Sequence, residues 1–351
     1  MIPVRGYAAL SAASPLQPFD FERRDAGGGD VVIDIAYCGV CHSDLHYVDN
    51  HWGLSMYPIV PGHEIVGTVA QIGSEVSRFR IGEPVGVGCM VDSCRVCPAC
   101  VDAEEQFCDQ FPIMTYNSYE KDGTTPTYGG YSSRIVVDQN YVLKVSDRLS
   151  APAAAPLLCA GITAYSPLRH WHVGTDSRVG VIGLGGIGHM AVKLAAAMGA
   201  DVTVFSHSQR KQADASRFGA TNFVDTSERE LTAMSARFDL ILNTASNSVD
   251  VNPYINLLAR DGTLVLLGAA ESELSFFSPM LYPGRRSLSA SMIGGIHETQ
   301  EMLDFCSTHN IGADIELFAM AQLNEAYERV AKGDIAYRAV LDLATIDSGK
   351  R

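Results

Sequence analysis

Positive charge is scarce in this 351-residue chain: 26 Lys and Arg stand against 40 Asp and Glu, a formal net charge of −14. The pI is correspondingly low, about 5.1. Such a surface repels phosphate backbones and anionic headgroups, which argues against nucleic acid and membrane surfaces as partners. No apolar run reaches the roughly 20 residues that a membrane-spanning helix needs. The opening "MIPVRGYAAL" is too short in its apolar part and too weakly basic for a secretory signal, so the expected location is the cytoplasm. Internal repeats and low-complexity tracts are also missing. What remains is ordinary globular composition, 47% hydrophobic and 19% charged, with a mean hydropathy of +0.07. The length is too great for one compact core and suggests two domains.

Nine cysteines are present, at positions 38, 41, 89, 94, 97, 100, 108, 159 and 306. An odd count in a long chain without a signal argues against a disulfide framework. Clustered thiols in a reducing compartment more often bind metal or do chemistry.

The chain changes character near residue 150. Before it, β-like runs such as "DVVIDIAYCGV" and "YSSRIVVDQNYVLKV" alternate with Gly- and Pro-rich turns, the pattern of a twisted β domain with long loops. After it, apolar strands "RVGVIG", "DVTVFS", "NFVDT", "FDLILNT" and "TLVLLG" are separated by helical stretches "GGIGHMAVKLAAAMGA", "QRKQADASRFGA", "SERELTAMSAR" and "NPYINLLARDG", with a sixth strand expected at "SLSASMIGG". Continuous apolar strands crossed by helices mean a parallel sheet covered on both faces. From about Ile296 the helices "ETQEMLDFCSTH" and "NEAYERVAKGD" lead to a strand "AYRAVLDLA". Periodicity leaves open whether that strand extends the parallel sheet or folds back on the first domain.

In "GVIGLGGIGHM", Gly183-x-Gly185-x-x-Gly188 follows a strand and opens a helix. That is the context a dinucleotide turn requires, with Gly183, Leu184, Gly185, Gly186, Ile187 and Gly188 as cofactor-binding candidates. Gly183 allows the turn, Gly185 the approach of a pyrophosphate to the helix N-terminus, and Gly188 close helix–strand packing. At the end of the second strand an acidic residue would hold the ribose 2′-hydroxyl of NAD. Here Ser206 stands in its place, followed by Ser208, Arg210 and Lys211. Hydroxyls and cations suit a 2′-phosphate, so NADP(H) is the expected cofactor.

Cys94, Cys97, Cys100 and Cys108, spaced C-x2-C-x2-C-x7-C within the loop 89–110, match a closed tetrahedral zinc site with a structural role. An iron–sulfur cluster can use similar spacing, but nothing else here suggests electron transfer. A catalytic zinc needs about three protein ligands and one exchangeable position. Cys41, then His63 and Glu64 in "PGHEIVG", then Cys159 in "PLLCAGITAYSP" are the candidates. Cys38 reads as core. Asp49, Asn50 and His51 read as polar loop residues. His170 and His172 read as surface residues.

Taken together, "CGVCHSDLH", "YPIVPGHEIVG", "GVGCMVDSCRVCPAC", "PLLCAGITAYSPL", "GLGGIGHM", "ASMIGG" and "AYRAVLD" span nearly the whole chain. In these motifs the chain resembles the zinc-dependent medium-chain alcohol dehydrogenases, in the cinnamyl alcohol dehydrogenase branch, and within it the bacterial NADPH-dependent broad-specificity aldehyde reductases. The resemblance implies a mainly β, GroES-like catalytic domain over 1–158, an α/β Rossmann NADP(H)-binding domain with a six-stranded parallel sheet over 159–294, and a C-terminal return to the catalytic domain over 295–351. It implies two zinc ions per subunit and a homodimer formed through the sheet edges, with "SLSASMIGG" as the edge.

It also implies roles. Cys41, His63 and Cys159 hold the catalytic zinc, and Glu64 takes the fourth place in a resting form. Asp44 orients a zinc ligand. Ser43 contacts the substrate oxygen and His46 passes the proton onward through the ribose hydroxyls. His42 and Arg338 lie near the cofactor pyrophosphate, and Thr163 packs on the nicotinamide. The expected reaction is reversible hydride transfer between NADPH and an aldehyde, giving a primary alcohol, with zinc as Lewis acid. By comparison with the plant enzymes, Trp52, Leu54, Met56, Cys89, Met114, Ala269 and Pro283 line the substrate pocket. Those enzymes carry a tryptophan near the position of Met114, so the softer methionine points to a broad range of aromatic and aliphatic aldehydes. Two rival readings are an NAD-dependent polyol or secondary-alcohol dehydrogenase and a non-catalytic NADP-binding protein on the same fold. The first often has a carboxylate at Cys159 and an acidic residue at Ser206. The second would be expected to lose ligands or relay residues, and they are present here.

Overall fold

The computed structural model describes residues 1–226, 231–245, 249–268 and 273–346. The chain divides into two compact units, Met1–Cys159 with Gly294–Arg351, and Ala160–Ile293.

The first unit is built on the strand Asp30–Val40, whose residues Val31, Val32 and Ile33 are buried in succession. It pairs antiparallel with Ile65–Ile72, Arg134–Asp138 and Arg338–Asp342. Beyond these, Pro84–Val87 and Leu143–Lys144 extend one side of the sheet, and Ile315–Ala319 pairs parallel with Arg338–Asp342 on the other. The C-terminal strand therefore lies in the β unit. Register matters more than strand count here. Cys38 faces Ile65 and Val40 faces Ala339. Whatever follows Val40 is thus set beside whatever precedes Ile65 and Ala339: Cys41 comes to lie near His63, Glu64 and Arg338.

In the second unit the described strands run in the order Asn222–Asp225, Asp201–Ser206, Arg178–Ile182, Phe238–Asn243, Leu258–Leu266, Ser287–Ala290, all parallel. The chain order reverses between Arg178–Ile182 and Phe238–Asn243. That reversal is the switch point at which open α/β sheets bind dinucleotides. Phe205, Phe238, Ile241, Leu258 and Leu264 belong to one buried cluster built on this sheet.

Two helices expected from periodicity come out differently. In "NPYINLLARDG" only Asn252–Ile255 is helical, and Leu258–Leu266 already belongs to the next strand. Pairing of Phe238 with Leu258 captures the segment, and the buried Leu257 and Leu258 serve the sheet rather than a helix face. Of "SERELTAMSAR", residues 227–230 lie outside the described residues, and Leu231–Met234 forms a single 3-10 turn.

Candidate metal centres and dinucleotide turn

Strand Asp30–Val40 ends directly at Cys41, which is the N-cap of helix His42–Val48. The cap uses its third residue in the manner of a capping box: Asp44 Oδ2 accepts from the Cys41 backbone N–H at 2.9 Å. The same carboxylate, fully buried, accepts from the Gly62 N–H at 3.3 Å and the Tyr131 hydroxyl at 2.9 Å, and its Oδ1 stands 3.1 Å from His63 Nδ1. Asp44 thereby fixes both the start of the helix and the ring of His63, leaving Nε2 as the nitrogen His63 can offer a metal. The Tyr116 ring stacks on the imidazole at 5.7 Å.

Glu64 is fully buried. Its Oε1 pairs with Arg338 Nη2, and its Oε2 has no hydrogen-bond partner among the described residues. A Cβ on Gly39 would lie 1.8 Å from that Oε2, so only glycine leaves room for the carboxylate in this position. Burial raises the Glu64 pKa to about 7, against the pull of Arg338. Cys41 Sγ and Cys159 Sγ lie 3.8 Å apart. The hydrogen bond between them lowers the Cys41 pKa well below the ordinary thiol value and raises that of Cys159. Ligand atoms of Cys41, His63, Glu64 and Cys159 all lie within 4.8 Å of one another, and all four residues are buried. Zinc–sulfur bonds of about 2.3 Å in a tetrahedron place two sulfurs about 3.8 Å apart, so the donor set fits zinc. Soft thiolates with one imidazole and one carboxylate also suit it chemically.

Cys94, Cys97, Cys100 and Cys108 form a second such group. Cys94 Sγ and Cys100 Sγ are again 3.8 Å apart, and the Cys97 N–H donates to Cys94 Sγ at 3.4 Å. Backbone N–H groups of Val96 and Cys97 lower the Cys94 pKa to about 6, toward the thiolate that a metal requires. Four thiolates leave no exchangeable position, the mark of a structural site. The lobe is tied to the C-terminal part of the unit: Glu105 Oε2 accepts from the Ile296 N–H, at the start of helix Ile296–His309, at 3.0 Å.

The glycine turn of the second unit follows the strand Arg178–Ile182. Gly183 has φ +85°, and a Cβ on Gly188 would lie 2.2 Å from the Gly183 carbonyl oxygen. Gly185 caps helix Gly186–Ala197, and a Cβ there would meet nothing within 4 Å. Open space in front of a helix N-terminus fits a pyrophosphate. Ser206 closes the neighbouring strand, its Oγ accepting from the Ser208 N–H at 3.2 Å. Lys211 Nζ reaches back to the Leu184 carbonyl at 2.8 Å, while Arg210 is exposed.

Family models match "Alcohol dehydrogenase GroES-like domain" over residues 27–147 and "Zinc-binding dehydrogenase" over residues 186–308. The chain belongs to the zinc-dependent medium-chain alcohol dehydrogenases. Within them it falls in the cinnamyl-alcohol-dehydrogenase-like branch. It is 53% identical over 347 residues to the NADP-dependent alcohol dehydrogenase C of Mycobacterium tuberculosis, covering 99% of this chain and 100% of the relative. It is 49% identical over 348 residues to aldehyde reductase YahK of Escherichia coli, covering 98% and 99%. Among solved structures, a cinnamyl alcohol dehydrogenase from Sorghum bicolor matches with a TM-score of 0.94 and 40% identity, covering 97% of this chain and 98% of that one. The dehydrogenase thus has a catalytic zinc site at Cys41, His63, Glu64 and Cys159 and a structural one at the four clustered cysteines.

The other candidate residues of this dehydrogenase are placed as follows. Ser43 Oγ accepts from Cys41 Sγ at 3.7 Å. His46 is buried on helix His42–Val48, its ring 5.8 Å from that of His42 and 4.9 Å from that of Trp52. Arg338 is buried and engaged by Glu64, and Thr163 is buried in helix Ala160–His170. Cys89 adjoins Cys159, whose hydrogen bond lowers its pKa. Met90 pairs with Met114 across a short ladder, Met56 is half-buried, and Leu54 is exposed. Pro283 is exposed in the second unit beside Arg260, Asp261 and Arg285. Ala269 lies outside the described residues. Cys38 is fully buried within its strand. His170 and His172 end a helix and the turn after it. Two residues that sequence reasoning passed over stand in the site, Tyr131 on Asp44 and Tyr116 on His63, and His51, read from the sequence as a polar loop residue, has its Nδ1 2.9 Å from His46 Nδ1. Only pairing between distant segments reveals the two tyrosines.

Proposed function

We propose that this dehydrogenase reduces a broad set of aromatic and aliphatic aldehydes to primary alcohols with NADPH, and runs the reverse reaction with NADP. The observation that carries this reading is the buried Cys41–His63–Glu64–Cys159 set, whose carboxylate keeps one oxygen without a hydrogen-bond partner among the described residues. When bound, zinc supplies Lewis acidity to the carbonyl oxygen and NADPH supplies the hydride. Cys41, Cys159 and His63 hold the metal, and Asp44 keeps the His63 ring turned toward it. Glu64 would offer the metal its Oε2, which has no hydrogen-bond partner among the described residues, while its Oε1 stays paired with Arg338. Ser43 gives its hydroxyl proton to the substrate oxygen and is reprotonated by way of His46.

NADP(H) over NAD(H) rests on Ser206 in the position of the acidic residue, with Ser208, Arg210 and Lys211 following it, and on the name of the mycobacterial relative. In this reading zinc chemistry is the work of 1–158 and 295–351 together with Cys159, and NADP(H) binding that of the remainder of 159–294. Homodimer formation is proposed through the strand Ser287–Ala290, which ends the parallel sheet and has a neighbour on one side only among the described residues. A cytoplasmic location accords with nine free cysteines, and no described helix is long and apolar enough to cross a membrane.

The test is metal analysis with turnover assays on the purified protein. Expected are two zinc ions per chain and oxidation of NADPH, in preference to NADH, with benzaldehyde and cinnamaldehyde. A zinc-free protein with full activity, or kcat/KM favouring NADH, overturns the respective part. Light scattering that returns the mass of a single chain overturns the dimer.

A further inference from the structure

Asn117 lies three residues beyond Met114 and has φ +58°, in the left-handed region. Its stretch of chain is held from both sides. The Thr115 N–H donates to the Cys89 carbonyl at 3.0 Å. The Ser118 N–H donates to Thr127 Oγ1 at 3.0 Å, and the Ser118 carbonyl accepts from the Thr127 N–H at 2.8 Å. The stretch around Leu54 is different. Trp52 is 36% and Leu54 68% exposed, so little core anchors it, and a segment of this kind opens easily unless polar contacts hold it. The Ser55 N–H donates to Asn50 Oδ1 at 3.0 Å, within the same loop. Asn117 ties the loop to the fixed stretch. Its Oδ1 accepts from the Met56 N–H at 2.8 Å, and its Nδ2 donates to the Leu54 carbonyl at 3.1 Å. One planar amide thus grips the backbone on both sides of Ser55. Among the described residues no other hydrogen bond joins 52–56 to 113–118.

We propose that Asn117 is a specificity-determining positioning residue, the latch that holds 52–56 against the segment of Met114 and so sets which aldehydes the pocket favours. The proposal rests on the reading of Trp52, Leu54, Met56 and Met114 as pocket residues. An aldehyde large enough to meet both segments depends on their separation. A small one, held at the metal by its carbonyl, touches less of either wall. Without the latch, binding of a large aldehyde must first order 52–56, and that cost falls on its affinity. Small aldehydes are spared it, so the ratio between substrates changes. The left-handed backbone by itself asks only for a residue such as Asn or Gly. The two hydrogen bonds ask for the amide. Glycine makes neither, and aspartate keeps the acceptor for Met56 but has no donor for the Leu54 carbonyl.

The test compares the parent with Asn117→Gly and Asn117→Asp in NADPH oxidation with acetaldehyde, benzaldehyde and cinnamaldehyde. Glycine keeps the backbone conformation and removes only the latch. In Asn117→Gly the KM for cinnamaldehyde should rise about tenfold and that for acetaldehyde less than about twofold, with kcat, the KM for NADPH and zinc content close to the parent's. Asn117→Asp should fall between glycine and the parent. A second measurement is independent of turnover. The chain has two tryptophans, so in a Trp171→Phe background acrylamide quenching reports on Trp52 alone, and it should increase with Asn117→Gly. Unchanged quenching, KM values that stay with the parent, or a KM raised by the same factor for all three aldehydes overturns the proposal. Met114→Ala separates the underlying reading. If it shifts the KM for cinnamaldehyde and Asn117→Gly does not, the latch alone falls. If it shifts nothing in an active, zinc-loaded protein, the pocket reading falls and the latch with it.

Discussion

Asp44 Oδ1 stands 3.1 Å from His63 Nδ1, while the other oxygen of the same carboxylate receives the backbone N–H of Cys41. One fully buried side chain therefore positions two metal ligands that lie 22 residues apart, by the numbering of His63 and Cys41. The expected consequence of Asp44→Asn, which keeps the shape but loses the charge, is a fall of about 10- to 100-fold in affinity for the catalytic zinc. Competition with a chelator measures it. Unchanged zinc retention would show that Asp44 serves the helix cap alone.

The two metal centres share no residue. Cys41→Ser or His63→Ala should lower the zinc content from two to one per chain and reduce turnover by more than about 100-fold, since Lewis-acid stabilisation of several kcal/mol is lost. The four-cysteine site should stay filled. Elemental analysis together with NADPH oxidation reads both effects, and loss of both ions from either variant contradicts the separation.

Glu105 joins the zinc lobe to the N-terminus of helix Ile296–His309 through the Ile296 N–H. A carboxylate at that end of a helix satisfies an otherwise unpaired donor and complements the helix dipole. Glu105→Ala should destabilise the first unit by about 1 kcal/mol without altering zinc content. Urea unfolding with metal analysis decides, and a zinc loss accompanying the substitution would place Glu105 in the metal lobe's own integrity instead.

Cofactor choice should turn on Ser206. A carboxylate there holds the ribose hydroxyls of NAD and repels a 2′-phosphate. Ser206→Asp is expected to shift the ratio of kcat/KM for NADPH over NADH by about tenfold or more toward NADH, an energetic change of about 1.4 kcal/mol. A ratio that stays put would locate the discrimination elsewhere.

In the second unit Arg178 grips Asp239 with Nε at 3.0 Å and Nη2 at 2.6 Å. This hydrogen bonding holds the Asp239 carboxyl below its ordinary range. A carboxyl with a lowered folded-state pKa contributes stability above its unfolded value, near 3.9, and loses it as pH falls through the folded value. Both side chains are more than a third exposed, so solvent screening keeps the contribution below about 1 kcal/mol. Asp239→Asn should therefore destabilise slightly at pH 7 and match the parent once the pH has fallen through the lowered folded-state value. A difference that persists in acid would assign the effect to packing.

Local pattern carries much of this protein. Four cysteines within fifteen residues must lie near one another wherever the loop goes, because so short a chain cannot separate them far. A glycine turn between an apolar strand and a helix likewise declares itself, since strand, turn and helix are each short-range structures. "DVVIDIAYCGV" was legible as a strand from its continuous apolar run. "NPYINLLARDG" was not, because pairing with Phe238–Asn243 overrides its helical spacing after one turn.

What only the tertiary structure decided are contacts between segments far apart in the chain. The strand Arg338–Asp342 had two compatible neighbours by pattern. Its register, Ala339 opposite Val40, sets it beside Asp30–Val40 and brings Arg338 to Glu64, 274 residues away. Cys159 reaches Cys41 across 118 positions. Neither hydrophobic period nor ligand spacing encodes such distances. They follow from strand register and from burial of the whole sheet, which fix the ends of three strands at one place and so assemble a site from residues scattered along the chain.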